Sequence, residues 1–312
     1  MKKYIVTGGA GFIGSNLIRK LNDEGIDEIL VVDNLTEAKK RNLKGLKFKA
    51  YQDKKEFIEK LPQDSPDYVI HFGACTNTME YNRDYLEKNN LIYSKKVFDY
   101  CKDRNIRLIY ASSGSVYGDG SNGYSEDAKN LKPLNPYGEY KYIFDNWALE
   151  QNFTNWIALR FFNVFGPHEY HKGRMASVAY HAFEEIKITG KIDLFKSYNS
   201  KYKDGEQKRD FIYVKDVIDM SMYLTERDEL NGIYNIGTGK ARTFLDLANA
   251  IFESLNKEAK INFIEMPDQL KEKYQYFTEA KITKLFKTGY KEKIRTLEES
   301  INDYVNNYLI KL

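Results

Sequence analysis

Tyr137 and Lys141, a tyrosine and a lysine four residues apart, are the side chains of this sequence best suited to moving a proton. Residues at this spacing lie on the same face of a helix. A phenol with a pKa near 10 is a weak base at neutral pH, but a nearby ammonium group favours its ionised form. The pair therefore suits proton transfer to or from an alcohol oxygen. Taken alone, the same spacing also occurs on ordinary exposed helix faces.

Three glycines, Gly8, Gly11 and Gly14, follow a short β-branched run near the start of the chain. Glycine at such positions permits a tight turn and lets the backbone approach a pyrophosphate, while the free amides of the following helix bind the anion. Asp33 stands 19 residues after Gly14, at the end of the next β-branched run, where a carboxylate can accept from a ribose hydroxyl. The combination predicts a dinucleotide site; the alternative is a glycine-rich turn beside a capping acid.

The charges after Asp33 bear on which dinucleotide binds. A carboxylate repels a 2′-phosphate and by itself favours NAD. Six basic residues with no acidic residue among them then follow: Lys39, Lys40, Arg41, Lys44, Lys47 and Lys49. A run of like charges is more commonly a solvated loop, but this one directly follows the strand expected to hold the adenosine ribose. We therefore predict NADP, with NAD as the alternative.

Strands and helices alternate in the first half of the chain. Buried strands are predicted at 3–7, 29–33, 68–72, 107–111 and 156–161, with helices at about 12–21, 85–104 and 137–151 between them. Such alternation indicates an α/β fold, a doubly wound parallel sheet of the Rossmann type that binds ligands at the carboxyl ends of its strands. A serine-rich turn, 112–118, lies at that edge.

The alternation stops after Pro167. Residues 168–209 are polar and basic, with one predicted helix at about 177–189, and 233–236 is a candidate for the last strand of the sheet. We predict an NADP-binding Rossmann domain of residues 1–166 with 211–238. A smaller α/β substrate-binding lobe would then consist of 167–210 with 239–312.

The composition excludes several classes of protein. In 312 residues, 48 Lys and Arg stand against 45 Asp and Glu, and the resulting charge of +3 argues against a nucleic-acid or membrane-surface partner. There is no apolar run of about 18 residues that could cross a membrane. Two cysteines, Cys75 and Cys101, do not form a disulfide scaffold, so a reducing cytoplasm is expected. His168 and His171 lack the other ligands of a zinc site, and no metal is predicted.

Together these motifs resemble the extended short-chain dehydrogenase/reductase family over almost the whole chain. The family's catalytic serine lies four residues before the Tyr-Gly of its strand-end motif, which selects Ser113 here, and its Tyr-x-x-x-Lys falls on Tyr137 and Lys141. The 4,6-dehydratases of the family carry Asp-Glu where this chain has Gly114 and Ser115, so an elimination reaction is disfavoured.

A closer resemblance is to the ADP-glyceromanno-heptose 6-epimerase group of that family. It rests on the segments 160–167, 171–181, 208–214 and 273–278, together with 33–35 and 73–75. The resemblance implies that C6 of an ADP-linked heptose is oxidised by tightly bound NADP and reduced again from the opposite face. It also implies a role in making inner-core lipopolysaccharide precursors and a homo-oligomer, specifically a pentamer.

The resemblance also implies roles for individual residues. Lys172 matches the second acid/base group, which the reaction needs because one fixed hydride donor must serve two faces of a carbonyl; a solvated or phosphate-contacting lysine is the alternative. Arg174 stands where the group often has a small Ser. The implied cofactor contacts are Gly8, Gly11, Phe12, Ile13, Gly14, Asp33, Asn34, Lys39, Lys40, Lys54, Phe72, Gly73, Ala74, Cys75, Thr76, Asn89, Lys141, Val164 and Lys172. The implied substrate contacts are Ser113, Asn163, Arg174, His181, Phe195, Lys196, Ser197, Tyr198, Arg209 and Tyr274.

Two other functions are compatible with parts of this pattern. One is an NAD(P)-dependent 4-epimerase or 4-dehydrogenase acting on a UDP- or GDP-sugar. The other is a cofactor-binding regulator that keeps the fold without catalysis. The second predicts a damaged set of catalytic residues, whereas Ser113, Tyr137 and Lys141 are all present.

Overall fold

The computed structural model describes residues 2–271 and 274–312, so Lys273, the first residue of one segment used above, lies outside the described residues. The strands are β1 Tyr4–Thr7, β2 Ile29–Asp33, β3 Ala50–Asp53, β4 Tyr68–His71, β5 Arg107–Ser113, β6 Trp156–Phe161, β7 Asn163–Phe165, β8 Ile192–Phe195, β9 Lys208–Arg209, β10 Phe211–Tyr213, β11 Gly232–Ile236, β12 Arg242–Thr243 and β13 Ile261–Ile264. The helices are α1 Phe12–Asp23, α2 Glu37–Leu43, α3 Lys54–Glu59, α4 Arg83–Leu86, α5 Tyr93–Arg104, α6 Pro136–Leu149, α7 Val178–Thr189, α8 Val214–Thr225, α9 Phe244–Ser254, α10 Asp268–Lys271, α11 Thr283–Lys287 and α12 Leu297–Asn307.

Seven strands form one sheet in the order β11-β6-β5-β4-β1-β2-β3. Every neighbouring pair is parallel. The strand order reverses between β1 and β4, which is the point at which a doubly wound sheet opens a crevice for its ligand. The predicted fold class is confirmed, and 232–236 is the edge strand expected from the sequence.

The sheet is buried on both faces because its side chains alternate between two helical layers. Val6 packs with α1 and α8 on one face, whereas its neighbour Ile5 packs with α5 and α6 on the other. Apolar runs such as Tyr4–Thr7, every residue of which is buried, are the sequence signature of this arrangement.

The helix predicted at 85–104 begins at Arg83 and contains a π-helical turn, Glu87–Ile92, between α4 and α5. This turn carries Asn89 and Asn90. The side chain of Asn90 bonds both backbone groups of Cys75, at 2.8 and 2.9 Å. The π turn therefore fixes the loop that follows β4, an example of such turns occurring at ligand sites.

The described residues also form three small two-stranded sheets, β7 with β10, β9 with β12 and β8 with β13, whose first strands lie between β6 and β11 in the chain. The β8–β13 pair and the helix α7, predicted at 177–189, lie in the segments assigned to the lobe. No helix in the described parts of the chain is long and apolar enough to span a bilayer.

Candidate active site

A cavity of about 1060 Å³ opens at the carboxyl ends of β1, β4 and β5. Its walls come from the glycine loop at one end and from segments around Lys172, Arg209 and Tyr274 at the other. A continuous space of this size lies at the upper end of the range for small-molecule and cofactor sites, about 300–1,000 Å³.

The glycine loop has the close approach that its sequence predicts. Gly8 has a φ of +70°, and a Cβ there would come within 2.7 Å of the Gly73 nitrogen. A Cβ on Gly14 would come within 2.3 Å of the Gly8 carbonyl oxygen. These glycines therefore allow α1 to pack against the loop and present its free amides to the cavity, so the loop fits a pyrophosphate.

Asp33 lines the end of the cavity next to β2 and is 5% exposed. Its Oδ2 accepts from the Ala10 N–H at 3.0 Å, and its Oδ1 accepts from the Lys39 ammonium at 2.7 Å. Lys54 also lines this end and donates to Asn89 Oδ1 at 2.9 Å. Burial lowers the pKa of Lys54, and the nearby charge of Lys39 lowers it further. Among the described residues that line this end, two are lysines and one is a carboxylate, so the lining carries a positive excess.

Ser113, Tyr137 and Lys141 all line the middle of the cavity. Tyr137 and Lys141 lie in the first two turns of α6, which begins at Pro136 with the Asn135 side chain capping the Gly138 N–H at 2.8 Å. The Lys141 ammonium donates to the Ala111 carbonyl at 2.6 Å, which ties the helix to β5. Ser113 ends β5, and its Oγ accepts from Ser115 Oγ at 2.9 Å.

Burial is the largest influence on the pKa values of Tyr137 and Lys141. It raises the pKa of Tyr137 to about 12, and a hydrogen bond with Ser113 acts in the opposite direction. Burial also lowers the pKa of Lys141 to about 8, although the charge of Asp145 opposes the shift. Both shifts favour the neutral form of the side chain, and shifted pKa values are common in active sites.

Lys172 reaches the cavity from a 3₁₀-helical segment, Tyr170–Met175, and its ammonium lies 5.5 Å from the centre of the Phe12 ring. Burial lowers its pKa, while the charge of Glu169 opposes that shift. Among the described residues, no carboxylate oxygen lies within 4.0 Å of this ammonium. Lys172 therefore meets the physical conditions for a proton-transfer group.

Arg209 and Tyr274 line the other end of the cavity. Arg209 is 8% exposed, and its guanidinium lies 5.3 Å from the centre of the Tyr274 ring and 5.6 Å from the centre of the Phe244 ring. No carboxylate pairs with it in the described ranges, 2–271 and 274–312. A buried arginine held between rings without a counter-ion is suited to an anionic ligand such as a diphosphate.

Most of the sequence-predicted site residues line this one cavity: Gly8, Gly11, Phe12, Ile13, Gly14, Asp33, Asn34, Lys39, Lys54, Phe72, Gly73, Ala74, Cys75, Thr76, Asn89, Ser113, Tyr137, Lys141, Asn163, Val164, Lys172, Arg209 and Tyr274. Lys40, Arg174, His181, Phe195, Lys196, Ser197 and Tyr198 do not.

The residues outside the cavity have other surroundings. Lys40 pairs with Glu37 and Lys196 with Glu265, at 2.5 and 2.7 Å. Arg174 and His181 are exposed. Ser197 donates its N–H to Asp204, and Tyr198 is 45% exposed. Phe195 packs edge-on against Tyr274, with ring centres 6.5 Å apart.

Several cavity residues were not identified from the sequence. His171, excluded as a zinc ligand, lines the cavity next to Lys172, and Met175, Gln275 and Thr278 also contribute. His171 belongs to the segment 171–181 on which the family resemblance rests and directly precedes Lys172, and these were the sequence signals that could have found it. Gln275 and Thr278 carried no signal of their own because an amide or hydroxyl in a loop is common.

The chain was compared with known families and structures. The model of the NAD dependent epimerase/dehydratase family matches residues 4–237. The chain belongs to this family. A curated ADP-L-glycero-D-manno-heptose-6-epimerase of Fusobacterium nucleatum subsp. nucleatum is 47% identical, with 98% of each chain aligned.

Two solved structures are also similar. The Helicobacter pylori ADP-L-glycero-D-manno-heptose-6-epimerase has a TM-score of 0.85 at 27% identity, covering 98% of this chain and 96% of that one. A Methanobrevibacter ruminantium UDP-N-acetylglucosamine 4-epimerase has the same TM-score and identity, covering 100% and 99%.

Proposed function

We propose that this chain is an isomerase that interconverts ADP-D-glycero-D-manno-heptose and ADP-L-glycero-D-manno-heptose at C6. The observation that carries the proposal is the near-full-length similarity, 47% identity, to a curated epimerase of this specificity. The site geometry supports it, because two groups able to exchange protons, Tyr137 and Lys172, reach one cavity from different segments.

When bound, the dinucleotide supplies reversible hydride transfer. Tyr137 would take the proton of the C6 hydroxyl as this carbon is oxidised, while Ser113 holds the oxygen and the Lys141 ammonium favours the phenolate. Lys172 would take or return the proton of the C6 oxygen after the carbonyl intermediate has turned over in the site. Arg209 would hold the diphosphate while the heptose end of the substrate turns. The ring of Tyr274 would shield the Arg209 guanidinium from water.

We propose NADP as the cofactor. Asp33 by itself would repel a 2′-phosphate, but its Oδ1 is paired with Lys39, and Lys54 adds a second ammonium group at the same end. A phosphate would balance this positive excess. Lys40 pairs with Glu37 and lies outside the cavity, so Lys39 and Lys54 are the lysines that we assign to the phosphate.

We further propose the two-part division into a dinucleotide-binding domain, 1–166 with 211–238, and a substrate lobe, 167–210 with 239–312. We also propose a homo-oligomer, and light scattering on the purified chain would test whether it is a pentamer.

The test of function is a direct assay. The purified protein is incubated with ADP-D-glycero-D-manno-heptose, and proton NMR follows the C6 configuration. We expect conversion to a mixture of both epimers without net consumption of added NADP. A parallel incubation with UDP-glucose or UDP-N-acetylglucosamine tests the 4-epimerase alternative, which the similarity to the M. ruminantium enzyme favours. Faster turnover of a UDP-sugar would reject the heptose assignment, and no turnover of any of these sugars by cofactor-loaded protein would favour the regulator.

A further inference from the structure

Glu169, three residues before Lys172, is a fully buried carboxylate, with an exposed fraction of 0%. Its side chain accepts hydrogen bonds from the Gly166 N–H at 3.0 Å and from Ser177 Oγ at 2.8 Å. It also accepts from the Ser177 N–H and, at 3.0 Å, from the Tyr304 hydroxyl of α12. The two ends of the segment 166–177 and the C-terminal helix therefore converge on one side chain.

The donor pattern indicates the charge of this group. All four contacts donate to Glu169, with three of them reaching Oε1 and one reaching Oε2. Hydrogen bonds donated to a carboxylate favour its ionised form. Burial acts in the opposite direction and raises the pKa of Glu169. The carboxylate satisfies two backbone N–H groups and two hydroxyls that an apolar side chain would leave buried without acceptors.

In the cavity already described, the charge of Glu169 acts on Lys172. Lys172 stands one 3₁₀ turn away, with its N–H donating to the Glu169 carbonyl at 2.9 Å, and the charge of Glu169 opposes the effect of burial on the Lys172 pKa. Among the described residues, the phenols of Tyr170, Tyr180 and Tyr304 also interact with this carboxylate, and His171 interacts with Lys172.

We propose that Glu169 is the positioning residue for Lys172: its carboxylate fixes both ends of the segment 166–177 to α12, and so places the backbone that carries Lys172, and it adds a negative charge to the same segment as the Lys172 ammonium. The role of Lys172 as an acid/base group rests on the proposed function, but its electrostatic dependence on Glu169 does not. The proposal can therefore be tested without substrate.

The first test measures the ionisation of Lys172 directly. The full-length protein is reductively methylated with ¹³C-formaldehyde, and the Lys172 resonance, assigned from its absence in Lys172→Arg, is titrated by NMR. In Glu169→Gln we expect the pKa of Lys172 to fall by about one unit, because a carboxylate near an ammonium favours the charged form. The matched control is Glu126→Gln, a half-buried carboxylate outside the cavity that accepts from the Asn235 N–H at 2.9 Å. An unchanged titration of Lys172 in folded Glu169→Gln would overturn the electrostatic part.

The second test uses turnover. If the proposed function holds, the limb of the pH–rate profile that Lys172 governs moves to lower pH in Glu169→Gln by the same interval as the NMR titration. A loss of activity with an unmoved limb would mean a merely structural role. If wild-type protein has no heptose activity, the proposed function fails while the NMR result still decides this inference.

If Glu169→Gln does not fold, Tyr304→Phe tests the anchoring role of Glu169 instead. It removes one donor at the α12 anchor but keeps the carboxylate charge. We expect kcat to fall several-fold with KM unchanged and with the titration of Lys172 close to that of wild type. Wild-type kcat in a folded Tyr304→Phe protein would contradict the anchoring role.

Discussion

At the scale of single residues, the site depends on groups whose pKa values are set by burial. Tyr137 and Lys141 are both less than 10% exposed and both shifted towards their neutral forms. A bound cationic nicotinamide and a substrate hydroxyl would change that balance in favour of the phenolate. Reactivity at Tyr137 is therefore expected only in the loaded site, which limits side reactions of the free protein.

Tyr137→Phe tests this assignment. We expect kcat to fall by about two to four orders of magnitude, the typical contribution of one acid/base group, because the ring is kept and only the hydroxyl is lost. Steady-state epimerisation is the measurement, and the retained dinucleotide, released by heat and weighed by mass spectrometry, is the control for folding. Near-wild-type turnover would remove Tyr137 from the mechanism.

Lys39→Met and Lys54→Met test the cofactor assignment. Loss of one charge-assisted hydrogen bond typically corresponds to about a tenfold or larger change in Kd, and we expect that change for NADP with little effect on NAD. Lys40→Met is the matched control, since Lys40 lies outside the cavity. Isothermal titration of protein stripped of nucleotide measures all three. Equal losses of NAD and NADP affinity would contradict a 2′-phosphate site.

At the scale of elements, one buried histidine joins β4, β1 and α5. His71 Nδ1 lies 2.6 Å from Thr7 Oγ1, and Nε2 lies 2.9 Å from Ser94 Oγ. Thr7 Oγ1 in turn accepts from the Gly73 N–H at 3.2 Å. This chain of contacts holds the two loops that face each other across the crevice. Ser94 Oγ donates to the Asn90 carbonyl at 2.9 Å and therefore accepts from Nε2, while Thr7 Oγ1 has its proton available for Nδ1, so the contacts match the neutral ring.

A pH dependence of stability follows from His71. Burial, with a further contribution from the charge of Lys141, lowers its pKa from 6.5 to about 3. Between these two values the unfolded chain binds a proton that the folded chain does not, so stability falls as the pH decreases from about 6.5 towards 3. The slope from one such group is at most about 1.4 kcal/mol per pH unit.

Urea unfolding of wild type and His71→Gln at pH 6.5, 5.5 and 4.5 measures this effect. We expect the variant to be less stable at pH 6.5 and the difference in free energy of unfolding to shrink as the pH falls. Other titrating groups affect both proteins and cancel in the difference. A difference that stays constant over this range would contradict the assignment.

At the scale of the whole molecule, Asp210 joins segments that are far apart in the sequence. It is fully buried and accepts from the Thr238 N–H and Oγ1, both at 2.7 Å, from the Gly239 N–H at 3.0 Å and from the Ala280 N–H at 2.9 Å. Its own N–H donates to Thr278 Oγ1, which lies beside Asn163 in the cavity. This carboxylate therefore links the strand that follows Arg209 to the C-terminal segment of the site.

Asp210→Asn should disturb both stability and ligand binding. An amide places N–H groups opposite backbone donors, and we expect a loss of about 2–4 kcal/mol in the free energy of unfolding. KM for the sugar nucleotide should rise more than kcat falls, because the ligand-binding end is affected first. Asp268→Asn, an exposed carboxylate paired with Lys271, should change stability by less than about 0.5 kcal/mol. Matching unfolding curves for Asp210→Asn and wild type would refute the role given to Asp210.

The sequence alone determined the parts of this protein whose geometry is local. The glycine loop, Asp33 at the end of the second strand and the Tyr137–Lys141 pair each lie within one βα unit or helix, so spacing in the chain predicts position in space. The alternation of strands and helices could be predicted for the same reason. The π turn at Glu87–Ile92 could not be predicted, because it depends on the contact of Asn90 with the loop that contains Cys75.

Only the tertiary structure decided which distant segments meet. Lys172, Arg209 and Tyr274 come to one cavity because strands and lobe segments pack there, and no local pattern encodes that convergence. The same packing left Lys40, Arg174, His181 and the segment 195–198 outside the cavity. It also gave Glu169 and Asp210 their positions, since a buried carboxylate is identified by the donors that surround it and those donors come from remote parts of the chain.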